Sequence, residues 1–176
     1  REKVLPENHP AIAASYNNVG DAYGELGDHK KELEYKLKAL AIREKVLPEN
    51  HPAIAASYNN LGSAYGKLGD HKKELEYLLK ALVIREKVLP ENHPAIAASY
   101  NNVGGAYGEL GDCKKALEYL LKALVIREKV LPENHPAIAA SYNNVGGAYG
   151  ELGDCKKALE YLLKALVIRE KVLPEN

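Results

Sequence analysis

Residues 85–126 read REKVLPENHPAIAASYNNVGGAYGELGDCKKALEYLLKALVI, and residues 127–168 repeat the same 42 letters without a change. Residues 1–42 and 43–84 are two further copies, and REKVLPEN at 169–176 begins a fifth. We number the complete copies repeats 1 to 4. Only seven columns vary among them, and repeat 1 holds these as Val19, Asp21, Glu25, His29, Glu32, Lys36 and Ala41. Self-similarity at this period marks stacked repeat architectures, so we expect a single array over 1–176.

Each repeat carries a first helix with clear start and stop signals, which we call helix A. In repeat 3 the stretch AIAASYNNVGGAYGEL, residues 95–110, follows Pro94 and precedes Gly111. Proline suits the first turn of a helix, where its missing N–H is not needed. Glycine can take the left-handed conformation that ends a helix, and Asp112 can cap the next one. The pattern predicts a helix over 94–110.

A second helix, helix B, follows in each repeat. Leu117, Leu120, Leu121 and Leu124 recur at helical spacing until Pro132 ends the segment. No stretch alternates with the period of two that a strand requires. We therefore predict an all-α chain of stacked antiparallel hairpins, with residues 1–5 as the last turn of a preceding helix B. The eight predicted helices span 10–26, 29–47, 52–68, 71–89, 94–110, 113–131, 136–152 and 155–173.

The hairpin resembles the tetratricopeptide repeat (TPR) family, whose pattern places a large aromatic residue, then Leu-Gly, then Tyr, before a second helix with small residues. Repeat 3 carries the matching letters Tyr100, Val103, Gly104, Tyr107, Ala116, Leu120 and Ala123. It departs from the family in its length, 42 residues against about 34. It also has Glu128 where a closing proline usually stands. The extended form is similar to the repeats of kinesin light chains and of bacterial and protist signalling proteins.

The resemblance implies a right-handed superhelix, an α-solenoid, whose A helices line a concave groove that binds peptides or partner proteins. Paired asparagines stand in mid-helix there, although Asn is a poor helix former. Amides both donate and accept hydrogen bonds, so a column of them can bind an extended backbone. The alternative is that one Asn of each pair bonds a neighbouring helix. The candidate peptide-binding residues are Asn17, Asn18, Asp21, Asn59, Asn60, Asn101, Asn102, Asn143 and Asn144.

Three observations bear on the ligand and on the packing of the A helices. Helix A segments carry four acidic residues and one lysine, a net charge of minus three, which favours a neutral or basic extended segment. Gly104 and Gly146 match the close-packing glycine of the family. The neighbouring Gly105 and Gly108 cost roughly 0.5 to 1 kcal/mol each in a helix. They either leave an open groove floor or are tolerated because adjacent repeats supply stability.

Glu32 and Lys36 replace the Ala and Leu of repeats 3 and 4. They are four residues apart, in the favourable Glu-before-Lys order, on a helix face that is apolar in repeats 3 and 4. When exposed, such a pair contributes about 0.2 to 0.5 kcal/mol, far less than buried Ala and Leu. This pair is either drift after duplication or a partly polar edge, and repeat 1 is expected to be the least stable. Uncovered apolar residues of the last helix B suggest an alternative role for the chain, a structural array that associates end to end.

The composition disfavours several other functions. Lys and Arg total 24, as do Asp and Glu, so the balanced charge gives no reason to expect nucleic acid as a partner. No apolar run is long enough to span a membrane. Equivalent His or Cys residues of successive repeats lie too far apart to share a metal or to form a disulfide. Free thiols favour the cytoplasm. With no catalytic constellation and no cofactor motif, we expect a non-enzymatic binding protein.

Overall fold

A computed structural model describes residues 9–172 of the chain, and within this range every regular element is an α-helix. The helices alternate between the A and B types expected from the repeat. They are α1 Pro10–Glu25, α2 His29–Val46, α3 Pro52–Lys67, α4 His71–Val88, α5 Pro94–Glu109, α6 Cys113–Val130, α7 Pro136–Glu151 and α8 Cys155–Val172. The predicted all-α class and all eight helices are confirmed. The helical turn predicted for residues 1–5 lies outside the described residues.

The described helices begin where the sequence predicts, and α1 to α7 end one residue earlier. In α5 the chain turns at Leu110, whose N–H still bonds to the carbonyl oxygen of Ala106 at 3.2 Å. Gly111 then takes a φ of +78°, the left-handed conformation that was predicted for it. Asp112 caps α6 by accepting a hydrogen bond from the N–H of Lys115. The short A-to-B connection therefore follows from the letters Leu-Gly-Asp.

The histidine before each A helix has a structural role that sequence reasoning missed. His93 Nδ1 accepts a hydrogen bond from the N–H of Ala95 at 3.0 Å, and His135 does the same for Ala137 at 3.1 Å. Each imidazole thus satisfies one of the donors that a helix start leaves unpaired. The repeated His-Pro pair sets the start of helix A.

The chain forms two compact halves, which divide between Val88 and Leu89. In the first half, α1 pairs with α2 and α3 with α4, while α2 also packs on α3. The second half repeats this arrangement, with α6 packed on α7 between the two hairpins. Buried side chains from three helices form the centre of the second half: Leu120, Leu124, Ile138, Ala139, Val145, Ala148, Ala165 and Ile168. Each half therefore builds its core by stacking one hairpin on the next.

One glycine of each A helix allows the hairpin to close. A Cβ added at Gly104 would lie 2.8 Å from Cγ of Leu120 and 3.1 Å from the carbonyl oxygen of Ala116. At Gly146 the nearest atom would be Cγ of Leu162, at 2.9 Å. These distances confirm the close-packing role predicted for both glycines.

A polar contact joins helix B to the following helix A. The guanidinium of Arg43 donates to the hydroxyl of Ser57 at 2.5 Å, and that of Arg127 donates to Ser141 at 2.6 Å. Burial lowers the pKa of Arg127. Because the two pairs occupy the same columns, stacked hairpins of both halves have the same register.

None of the eight helices in the described range combines the length and the apolar character needed to cross a lipid bilayer.

Candidate functional site

The asparagines of successive A helices hydrogen-bond to each other. Asn60 donates its side-chain amide to Oδ1 of Asn17 at 3.2 Å, and Asn144 donates to Oδ1 of Asn101 at 3.0 Å. The second Asn of one repeat therefore pairs with the first Asn of the repeat before it. This is the neighbouring-helix alternative considered from the sequence. An amide has two N–H donors and two acceptor lone pairs, so one such bond uses only part of its capacity.

In the second half, these amides border an open cleft of about 410 Å³ between α5, α6 and α7. Asn101, Asn143 and Asn144 lie along it, together with the carboxylates of Glu109 and Glu151. The structure thus brings three of the nine candidate residues into one cavity. We call this cavity the α5–α7 cleft. Its remaining lining consists of Gly104, Gly105, Gly108, Ala116, Leu120, Gly147 and Ala148.

Glycines form the floor of the α5–α7 cleft. A Cβ added at Gly105, Gly108 or Gly147 would meet no atom within 4 Å. These glycines are therefore not required by close packing, unlike Gly104. Their effect is to leave room beside the amides, which agrees with the open-floor interpretation of the sequence.

In the first half, the corresponding space is filled by the chain itself. A Cβ on Gly24, which occupies the column of Gly108, would lie 2.6 Å from a carboxylate oxygen of Glu32. Lys36 extends beside this carboxylate and forms an ion pair with Asp21. Lys67 of α3 contacts Glu32 from the other side, with its Nζ 3.1 Å from Oε1. Charged side chains thus occupy in repeat 1 the volume that is open in repeat 3.

Glu32 and Lys36 are buried, on the helix face that is apolar in repeats 3 and 4. Their relative exposures are only 3% and 4%. Their direct contact is long, 3.8 Å, because each charge has closer partners on other elements. For Glu32 these are Lys67 and His29, whose Nδ1 lies 3.0 Å from the carboxylate. The predicted energy of an isolated surface pair therefore does not apply to this network.

The predicted residue Asp21 belongs to this network and also accepts a hydrogen bond from the amide of Asn17, at 2.9 Å. Asp21 is therefore engaged within the fold of the first half. Asn18 is exposed on α1, while Asn59 and Asn102 are half-buried on α3 and α5.

Most of the sequence variation among the repeats lies in the charged network around Glu32 and Lys36. Of the seven variable columns, five are represented in the network by Asp21, His29, Glu32, Lys36 and Lys67. Sequence reasoning paired only Glu32 with Lys36 and missed that all five columns meet in the fold. The available signal was that most of the differences among near-identical copies fall in these five columns.

The pKa of one thiol near the α5–α7 cleft is shifted by a hydrogen bond. The pKa of the Cys113 thiol is raised, first because the thiol donates a hydrogen bond to Glu151 and then because it is partly desolvated. The thiol is therefore neutral at ordinary pH and unsuited to act as a nucleophile. Among residues 9–172, no group of three or more His, Cys, Asp or Glu side chains could hold a metal ion.

Each half also has a more apolar groove whose lining does not include the paired asparagines of the A helices. In the first half it holds about 480 Å³ and is bordered by Tyr58, Leu79 and Val83. In the second half it holds about 440 Å³ and is bordered by Tyr100, Leu121 and Val125. The linings of the two grooves carry the same letters at equivalent positions of the chain, so the grooves do not distinguish one half from the other.

Comparisons with known proteins agree with this geometry. Two profiles described as tetratricopeptide repeat match the chain, one at residues 33–87, 54–129 and 95–171 and the other at residues 12–53. Among curated proteins, none matches the chain significantly.

Solved structures of similar fold cover nearly the whole chain. A kinesin light chain-like protein of Podosopora anserina with nearly identical TPR-like repeats is 30% identical, with a TM-score of 0.85 over 98% of this chain and 82% of that one. BtubC from P. vanneervenii is 24% identical, with a TM-score of 0.86 over 96% of this chain and 68% of its own. The apo form of RapI is also 24% identical, with a TM-score of 0.82 over 97% of this chain and 45% of its own.

Proposed function

Because the chain belongs to the tetratricopeptide repeat family, we propose that it is a protein-interaction scaffold and that it binds an extended partner segment along its A helices. Binding proteins through repeated helical surfaces is the general role of such repeat arrays. The proposed contact surface consists of the asparagine columns, and in the second half it centres on the α5–α7 cleft.

The observation that supports this proposal most strongly is the position of the amides beside open space. Asn101, Asn143 and Asn144 border a cleft whose floor is glycine, at a cost to helix stability that packing does not explain. Hydrogen bonds from amides to a backbone are independent of the ligand's side chains, so the columns can fix an extended segment in register. The cleft then accommodates a side chain of that segment.

The proposal is tested with a peptide selected from a displayed random library against the immobilised chain. Its affinity is then measured by fluorescence polarisation for the parent and for the double variant Asn101→Ala, Asn143→Ala. Loss of two hydrogen bonds at about 1 kcal/mol each weakens binding roughly thirtyfold. Helicity in circular dichroism should be nearly unchanged, because Ala is a better helix former than Asn.

Asn134→Ala is the matched control, since it removes the same amide from an exposed connection outside the cleft. It should leave the affinity within twofold of the parent, on the order of 0.4 kcal/mol or less. Equal binding by the parent and the Asn101, Asn143 double variant would refute the asparagine-column proposal.

A second candidate function is end-to-end association of copies of the chain. On α8, Leu166 is 47% exposed, whereas its counterpart Leu124 on α6 is 4% exposed beneath α7. The Arg-to-Ser contact that joins successive hairpins also has exposed members at the two ends, Ser15 and Arg169. Since α1 nearly repeats the sequence of α7, α1 of a second copy fits the open face of α8. Such head-to-tail contacts generate open chains of copies.

Sedimentation velocity over a range of concentrations tests the second candidate. Association predicts a sedimentation coefficient that rises with concentration and returns to the monomer value in the variant Leu166→Glu. A coefficient that stays monomeric at the highest concentration would eliminate this candidate and leave the peptide-binding proposal intact.

We further propose that the scaffold is non-enzymatic and works in a reducing compartment such as the cytoplasm. The neutral thiol of Cys113 supports both statements, because its raised pKa does not activate it and it forms no disulfide.

A further inference from the structure

One space in each half is equivalent, but it is filled in the first half and open in the second. This difference indicates what the α5–α7 cleft binds. In the first half, two carboxylates and two ammonium groups fill the space: Asp21, Glu32, Lys36 and Lys67. In the second half the same columns hold Gly105, Ala116, Leu120 and Glu151. The first half therefore shows the position occupied, and the second half shows it open.

The chemistry of the occupied position is that of a cation held between carboxylates. Lys36 is 4% exposed and lies between Glu32 and Asp21, so its ammonium is removed from water and paired. A desolvated ammonium is tolerated only when carboxylates compensate its charge. This position within the fold thus accommodates a long basic side chain, supplied here by the protein itself.

The open position retains negative charge without the internal cation. Glu109 and Glu151 border the α5–α7 cleft, and its lining, which lies wholly within the described second half, includes no Lys or Arg. The column of Lys36 holds Leu120 here, so the second half has no internal ammonium. The column of Glu32 holds Ala116, so no carboxylate covers the glycine floor. The result is an acidic cavity next to three side-chain amides.

From this comparison we infer that the α5–α7 cleft binds one arginine or lysine side chain of the partner segment, and that the first half is closed to the same ligand by its own Lys36. This inference rests on the proposed function and specifies its ligand. The amides hold the backbone of the segment, and the basic side chain crosses the glycine floor toward Glu109 and Glu151. An arginine can donate to both carboxylates, because its guanidinium presents several donors in one plane.

The probe is a flexible Gly-Ser peptide with one central arginine, and its matched control replaces this arginine by citrulline, which has nearly the same shape without the charge. Each is titrated into the full chain labelled with ¹⁵N, and the backbone amide resonances of the cleft glycines are followed by NMR. The arginine peptide should shift the resonances of Gly105, Gly108 and Gly147 in a saturable way. The citrulline peptide should bind at least about tenfold more weakly.

Two exchange variants use only letters that the chain already carries in the same columns. The filled variant places the first-half network in the second half: Gly105→Asp, Cys113→His, Ala116→Glu, Leu120→Lys and Glu151→Lys. The opened variant makes the reverse change in the first half: Asp21→Gly, His29→Cys, Glu32→Ala, Lys36→Leu and Lys67→Glu. The filled variant should lose the arginine-dependent shifts. The opened variant should gain a second set of arginine-dependent resonance shifts, at Gly20 and Gly24.

Equal binding of the arginine and citrulline peptides would overturn the inference, as would an opened variant that gains no second site. Circular dichroism confirms that each variant remains folded, and the opposite directions expected for the two variants separate binding from general destabilisation. Failure of this inference is distinguishable from failure of the proposed function. A library-selected peptide that depends on Asn101 and Asn143 but is indifferent to its own basic residues would support the scaffold and refute the basic-side-chain ligand.

Discussion

Two adjacent glycines of α5 allow a matched test of how the hairpin closes. Gly104 and Gly105 are both helical, so replacing either by Ala gains about 0.5 to 1 kcal/mol of helix propensity. They differ in their surroundings. A Cβ at Gly104 would meet Cγ of Leu120 at 2.8 Å and a backbone oxygen at 3.1 Å, whereas a Cβ at Gly105 would meet nothing within 4 Å.

The structure therefore predicts effects of opposite sign. Gly105→Ala should stabilise the chain by about 0.5 to 1 kcal/mol, because only the propensity changes. Gly104→Ala should destabilise it, because forcing an extra methyl into a packed contact costs about 1 to 3 kcal/mol, which generally exceeds the propensity gain. The propensity effect is common to both variants, so their unfolding free energies should differ by about 1 to 3 kcal/mol.

Equilibrium unfolding in urea, followed by helical circular dichroism, measures this difference. With a denaturant dependence of about 2 kcal/mol per molar, the two midpoints should be separated by on the order of 1 M. Similar slopes for both variants would show that only stability has changed. Equal midpoints, or a Gly104→Ala variant more stable than Gly105→Ala, would refute the close approach of α5 and α6.

Three further predictions concern polar groups that contact one another within the fold. Ser141→Ala removes a buried hydroxyl that accepts from the half-buried guanidinium of Arg127 and should cost about 1 to 3 kcal/mol in urea unfolding; Ser15→Ala, at an exposed equivalent, should cost less, and equal costs would contradict the assigned contact. Replacing Glu32 by Ala together with Lys36 by Leu should leave stability equal or higher by up to about 4 kcal/mol; Lys36→Leu alone should unfold at lower urea than the double variant, and the reverse order would be inconsistent with the buried network. Burial and a hydrogen bond to a glutamate raise the pKa of Tyr142 to about 12. Because this folded-state pKa lies above the unfolded value of about 10, the contribution of Tyr142 to stability is present below about pH 10 and is lost as pH rises toward 12. Tyrosinate absorbance and thermal unfolding check this window, and a gain in stability across it would contradict the prediction.

Local signals were sufficient to predict the hairpin. The positions of Pro94, Gly111 and Asp112 determine where helices start, stop and restart, and each acts within a few residues of itself. Gly104 was recognised because its column matches a known packing position. Hairpin architecture could therefore be read from a single repeat.

The network around Glu32 and Lys36 could not be read in the same way. Their spacing fits an ion pair within one helix, but the residue that completes the network, Lys67, lies 35 positions away on another helix. The bond from Asn144 to Asn101 likewise spans 43 residues. Such contacts depend on how hairpins stack, which the periodicity of one helix does not determine. The bond between asparagines was one of two alternatives that the sequence left open, whereas the charged network was indicated only by the columns in which the repeats differ.

The most direct measurement is a crystal structure of the chain with a library-selected peptide bound. We expect the peptide to lie extended across α5 and α7, with its backbone hydrogen-bonded to the amides of Asn101 and Asn143 and a basic side chain in the α5–α7 cleft. A peptide seated instead in the apolar groove beside Tyr100, with the cleft amides still exposed to solvent, would contradict this account.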